Sequence, residues 1–153
     1  CTGRGLEDFV QLTNVERLVI ASGMFEDAAI VQKLEQSGVK IHKGFLENVE
    51  EIYQMADVYL FPTKSAEFVI SIPLSVIEAL SAGTPVIGYR SFSNLMEIEC
   101  DPRGITYVDD SSEINQILTE VAKQKRKKSF LTNVRTWDSI ATDVLHLVGE
   151  VSE

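Results

Sequence analysis

Two cysteines, Cys1 and Cys100, make no disulfide framework in a chain of 153 residues and sit at no metal-ligand spacing, so both are read as reduced. Long apolar runs are also missing. Leu18 to Ala21 and Val58 to Phe61 fall far short of the ~20 residues that a membrane-spanning helix needs. No basic start followed by an apolar stretch marks a signal peptide. Positive charge is scarce, with 14 Lys and Arg against 23 Asp and Glu and a net charge of −9. That balance argues against broad contact with a polyanion such as DNA, so no nucleic-acid partner is expected and any phosphate site must be local. There is no Ser-His-Asp or Cys-His arrangement, no zinc-ligand cluster and no P-loop, and Gly3-x-Gly5 is too little for a dinucleotide fingerprint. No cofactor is expected. The default reading is a soluble, cytoplasmic protein.

The chain is 44% hydrophobic and of a size for one domain with its own core, taken as residues 1–153. Leu6, Phe9 and Val10 share a helical face, and Arg17 to Ala21 (RLVIA) has the continuous apolar character of a buried parallel strand. Helical spacing returns over Glu26 to Gln36, Gly38 ends it, and Val39 to Ile41 is a brief strand. Asn48 with Glu51 forms a capping-box pattern ahead of Val49, Ile52, Tyr53 and Ala56, and the strand Val58 to Phe61 follows. Pro73 and Gly83 bracket a helix from Pro73 to Ala82 before the strand Pro85 to Gly88. Gly104 to Val108 is the last strand. Asp110 with Glu113 caps a helix carrying Ile114, Ile117, Leu118 and Val121, and Trp137, Ile140, Ala141, Val144 and Val148 suggest a closing helix. Strands alternating with amphipathic helices predict an α/β fold with a doubly wound parallel sheet. In such sheets ligands bind beyond the carboxyl ends of the strands, which selects the loops after Ala21, Ile41 and Phe61.

The loop Pro62 to Ile72 (PTKSAEFVISI) is long for a strand-to-helix connection, and long loops tend to carry function. It leads to a helix start where the backbone N–H groups of Leu74, Ser75 and Val76, with the positive end of the helix dipole, suit a phosphate. Glu78 lies just over one turn further in. A carboxylate there can accept from two neighbouring ribose hydroxyls; taken alone, the same residue is an ordinary solvated helix glutamate.

The segment Ile77-Glu78-Ala79-Leu80-Ser81-Ala82-Gly83-Thr84-Pro85-Val86-Ile87 closely resembles a signature of the group 1 (family 4) glycosyltransferases of the GT-B fold. Val39 to Phe45 (VKIHKGF) and the stretch EEIYQMADVYLFP resemble motifs that precede it in that family. Val19 to Gly23 resembles a strand of that family and Arg4-Gly5-Leu6 the start of its preceding helix, with arginine in place of lysine, and the resemblance weakens past Glu97. It implies a donor-binding domain of a retaining glycosyltransferase that moves a sugar from a UDP-, GDP- or ADP-linked donor to a saccharide or lipid-linked acceptor. Glu78 would bind ribose and Arg4 the diphosphate, whose charge the family stabilises with basic residues and the helix start, so the resemblance implies no metal site. Gly23, Lys43, Gly44 and Phe45, with His42 beside them, would line the donor site. The family's sugar-facing glutamate stands eight positions before Glu78, where this chain has Ile70. Glu67, eleven before, is the candidate for that catalytic role. Glu97 resembles the glutamate that follows the family's phosphate loop, although Ser91-Phe92-Ser93-Asn94 stands in place of its glycines.

Since the chain starts at Cys1 and enters a helical pattern at once, it is expected to be a fragment lacking the N-terminal acceptor domain and the first strand; a mature lipoprotein is the other reading of Cys1. Such a fragment would bind donor without turning it over. The basic run Lys123 to Lys128 (KQKRKK) suits either a solvated helix end or anionic headgroups at the inner face of a membrane. Alternatives to the transferase are a non-catalytic nucleotide-sugar-binding module, a GT-B isomerase such as a UDP-sugar 2-epimerase, and a purely structural domain.

Overall fold

Strand and helix alternate along the chain as their apolar spacing dictates, in a computed structural model that describes residues 4–21, 27–68, 71–133, 141–142 and 145–146. A 3-10 helix, Leu6–Gln11, precedes β1 (Leu18–Ala21), α1 (Ala28–Gln36), β2 (Lys40–Lys43), α2 (Val49–Met55) and β3 (Tyr59–Phe61). A 3-10 turn at Ala66–Phe68 then leads to α3 (Leu74–Ser81), β4 (Val86–Tyr89) and a 3-10 helix at Ser93–Glu97. The described elements end with β5 (Ile105–Val108), a 3-10 turn at Ser111–Glu113 and α4 (Ile114–Ala122).

Among the described residues β1 to β5 pair only in parallel, which confirms the α/β class. They form two sheets rather than one, in the orders β1-β2 and β3-β4-β5. The period of two sorts the second sheet's side chains cleanly. Tyr59, Phe61, Val86 and Ile105 face Val76, Ala79 and Leu80 of α3. Leu60, Ile87, Tyr89 and Val108 face Ile114 and Val121 of α4. Val19 packs with Ile30, Leu34 and Val39 in a third cluster. Phe9 borders both the second and third clusters, so the first 3-10 helix ties the two sheets together on one face. Each fully buried Leu or Ile here contributes about 1.5–3 kcal/mol.

Several expectations change. The opening helix is 3-10, its buried residue is Asp8, and Val10 is exposed. β1 starts at Leu18, one residue after the expected start, and the Arg17 guanidinium donates to the carbonyls of Phe9 and Ser37. β2 runs past Ile41 and takes in His42 and Lys43. α1 starts at Ala28 because Asp27 caps it, its carboxylate accepting from the N–H groups of Ala29 and Ile30. Asn48 makes no side-chain cap, whereas the Asp110–Glu113 capping box forms in full, on the 3-10 turn that feeds α4. Pro73 is the residue before the first helical turn rather than inside it. Pro85 lies outside β4, its carbonyl accepting from the Tyr59 N–H at 2.9 Å. Of the closing helix, Ala141 is helical and exposed, while Trp137, Ile140, Val144 and Val148 lie outside the described residues.

The basic run is partly structural. Arg126 donates to the carbonyls of Gln54 and Ala56 at the end of α2, and Lys127 pairs with Asp101. Lys123, Lys125 and Lys128 are exposed. Among the described residues no helix is long and apolar enough to cross a membrane.

Candidate functional site

In the second sheet, the loop after β3, the turn after β4 and the start of α3 meet at the carboxyl rim. Two side chains fasten the loop. The Ser91 hydroxyl donates to the Lys64 carbonyl at 3.0 Å, and the Asn94 amide donates to the Ser71 carbonyl at 2.8 Å. These are the residues standing where the resemblance led us to expect glycines. They hold the loop with side chains instead of admitting a ligand to bare backbone.

At the α3 start, Leu74 is exposed and Ser75 half-buried. Among the described residues neither donates a backbone hydrogen bond. Val76 does: its N–H reaches the Pro73 carbonyl at 3.0 Å, and the residue is fully buried. The expected three free donors are therefore two. Burial pushes the Tyr59 phenol above the ordinary tyrosine range, and the neighbouring Ser75 works against that shift.

Glu78 is exposed, and its Oε2 accepts from the Tyr53 hydroxyl at 3.2 Å. Burial, then the neighbouring Tyr59 and Glu78, pushes the Tyr53 phenol well above the ordinary tyrosine range, so it remains a donor throughout neutral pH. Tyr53 and Tyr59 meet edge to face, with centroids 5.5 Å apart. The Tyr53 hydroxyl thus turns one oxygen of Glu78 toward α2, and among the described residues Oε1 makes no hydrogen bond.

Glu67 is exposed on its 3-10 turn, with its N–H on the Ser65 hydroxyl at 3.3 Å. Among the described residues it makes no contact with Glu78. Arg4 is exposed beside Gly5, whose φ of 69° and close seat on Pro62 bring the first 3-10 helix against the end of β3. A Cβ on Gly5 would lie 2.0 Å from the Pro62 carbonyl oxygen, so only glycine fits. Lys43 ends β2 and is exposed, Gly44 has a φ of 119°, and Phe45 is 86% exposed. Among the described residues the buried Nε2 of His42 has no hydrogen-bond partner. Glu97 is exposed, and Gly23 lies outside the described residues.

One cluster at this rim escaped the sequence reading. Buried Asp8 accepts from the Tyr89 hydroxyl at 2.5 Å and pairs with Lys64 at 3.2 Å, and the Lys64 ammonium lies 4.6 Å from the Tyr89 ring centroid. Burial, reinforced by Asp8, raises the Tyr89 phenol far above its usual range. Lys64 keeps about half its side chain in water, so a cation is held in fixed position between β3 and α3. Among the described residues no group of three His, Cys, Asp or Glu side chains could hold a metal ion. An apolar hollow lined by Glu7, Val10, Gln11, Ile30 and Lys33 includes none of these site residues.

Residues 6–124 match the family model described as glycosyl transferases group 1. No curated protein matches the chain. Six solved chains match it, among them the crystal structure of Anabaena HepE in complex with UDP-glucose. That match has a TM-score of 0.61 and 16% identity, and covers 80% of this chain and 36% of HepE. At that identity it shows a shared fold, and the chain spans well under half of HepE.

Proposed function

From the premise that this chain belongs to the group 1 glycosyl transferases, we propose that it is the donor-binding half of a retaining hexosyltransferase. The donor is a nucleoside diphosphate sugar, and UDP-glucose on a protein of the same fold makes the UDP-linked class the first to test. The acceptor, a saccharide or a lipid-linked saccharide, is met by a separate N-terminal domain.

The observation that carries this reading is the start of α3. Two N–H groups not used elsewhere among the described residues, Leu74 and Ser75, stand at the positive end of a helix, with the exposed Glu78 carboxylate one turn behind them. That is a diphosphate seat with a diol acceptor beside it. When the bond from the anomeric carbon to the diphosphate breaks, charge develops on the leaving oxygens. Donors already fixed at the helix start, with Arg4 and the anchored Lys64, stabilise that charge without reorganising. Lys43, Gly44 and Phe45 take the base side of the donor, and Glu67 the sugar side.

The first test is a titration of residues 1–153 with UDP, GDP and ADP, followed by amide shifts at Leu74 and Ser75. One nucleotide moves both. Glu78→Gln then weakens that nucleotide by roughly tenfold or more, because half of the charged acceptor becomes a donor. No shift with any of the three defeats the reading. A second reading, a binding module without catalysis, is favoured by the spacing of Glu67. It is the correct one if Glu67→Ala in the longer protein leaves nucleotide binding intact and the wild-type protein transfers no sugar.

A further inference from the structure

Tyr53 is held at both ends by the same stretch of chain. Its hydroxyl donates to Oε2 of Glu78 at 3.2 Å, and its backbone carbonyl accepts from the hydroxyl of Thr84. Glu78 belongs to α3, and Thr84 is fully buried just past the end of that helix, where its own N–H donates to the Ala79 carbonyl at 2.9 Å. One residue of α2 is thereby pinned both to α3 and to the turn that closes it.

The support extends behind Tyr53. Its carbonyl is among those at the C-terminal end of α2 that a helix cannot satisfy by itself. Thr84 takes that one, and Arg126 takes those of Gln54 and Ala56. The Tyr53 ring is buried and meets Tyr59 edge to face, so packing fixes the ring while hydrogen bonds fix its two ends.

Glu78 is the opposite kind of residue, with its side chain in water. An exposed glutamate samples several rotamers, and a ligand that binds its carboxylate must first see them fixed. A buried phenol that already holds Oε2 removes that cost in advance, and among the described residues Oε1 makes no hydrogen bond. As a tie between helices the same bond adds little, because a carboxylate in water is a weak anchor. Tyr53, Val76, Ala79 and Leu80 already join α2 to α3 in one apolar cluster.

Granted the donor site at the start of α3, on which this role rests, we propose that Tyr53 is a positioning residue: its hydroxyl holds the Glu78 carboxylate in the orientation that accepts both hydroxyls of a ribose. Tyr53 thereby sets how strongly the site prefers a ribonucleotide to one that lacks the diol.

The test titrates UDP, GDP and ADP, each beside its 2′,3′-dideoxy counterpart, into wild type and into Tyr53→Phe, which keeps the ring against Tyr59 and removes only the hydroxyl. Wild type prefers the ribose form of whichever nucleotide binds. Tyr53→Phe narrows that preference by about fivefold or more, while the affinity for the dideoxy form changes by less than about twofold. With Glu78→Ala already in place, adding Tyr53→Phe moves neither affinity, since the hydroxyl then has nothing to orient. A full preference kept by Tyr53→Phe, or an equal loss for both forms, overturns the proposal and leaves the donor site standing. So does a wild type that binds both forms alike. No binding of any nucleotide by wild type removes the donor site and the proposal together. Should Tyr53→Phe give no dispersed amide spectrum, Thr84→Val takes its place: it frees the other end of Tyr53 and narrows the preference in the same direction, and an unchanged preference is again the overturning result.

Discussion

Tyr89 donates to the Asp8 carboxylate from 81 residues away, and both are buried. Tyr89→Phe leaves a buried carboxylate short of its donor and costs about 1.5–3 kcal/mol. In a chain of this length the melting temperature falls by roughly 3–12 °C, readable by calorimetry. Lys64→Met costs more than the ~1 kcal/mol of an exposed pair, because its partner Asp8 is buried and loses its cation. Neither Asp8 nor Tyr89 could be paired from the sequence. An acidic residue on a short amphipathic stretch reads as its solvated face, and only the meeting of the first 3-10 helix with the end of β4 makes it a buried one. Glu78 is the opposite case. Its place near a helix start was legible because that depends on neighbours in sequence, while the Tyr53 hydroxyl that orients it comes from a different helix.

Among the elements, α3 shows most plainly why local signals succeed. Gly83 follows its C-cap with a φ of 76°, and a Cβ there would lie 1.9 Å from the Lys127 carbonyl oxygen. Gly83→Ala therefore destabilises by more than about 1–2 kcal/mol, the conformational cost alone, because the clash is with backbone. Urea denaturation measures it. The glycine was readable as a helix stop, but the strand of chain lying over it was not. The two capping-box patterns make the same point: Asp110 closes its box and Asn48 does not, since spacing is necessary for the motif but the backbone at the cap decides. The end of α2 is satisfied by Arg126, some 70 residues on, so part of a basic run that suggested water or lipid is a helix cap supplied from afar.

For the whole molecule, alternation of strand and helix was enough to give the class, since each element announces itself by its own period. The division into two sheets was not, because strand order is a property of pairs. Long-range charge contacts are equally silent in sequence and are visible through pH. Hydrogen bonds from Arg103 and Lys127 hold the Asp101 carboxyl well below the usual carboxylate range. A depressed folded value stabilises the fold above the unfolded value of about 3.9 and is lost as pH falls through the folded one. Asp101→Asn accordingly lowers the melting temperature at neutral pH, and the gap to wild type narrows between about pH 5 and pH 2. A constant gap across that range would show that Asp101 acts through packing instead.

The fastening of the β3–α3 loop has a consequence for how such a domain changes over time. Ser91 grips the chain at Lys64 and Asn94 grips it again at Ser71, so both ends of the intervening stretch are clamped by a neighbour that is not part of it. Residues can be inserted or deleted between the clamps while β3 and α3 keep their places. The stretch behaves as an interchangeable cartridge in a fixed holder: lineages can rewrite what it presents, Glu67 included, and keep the frame that carries Glu78.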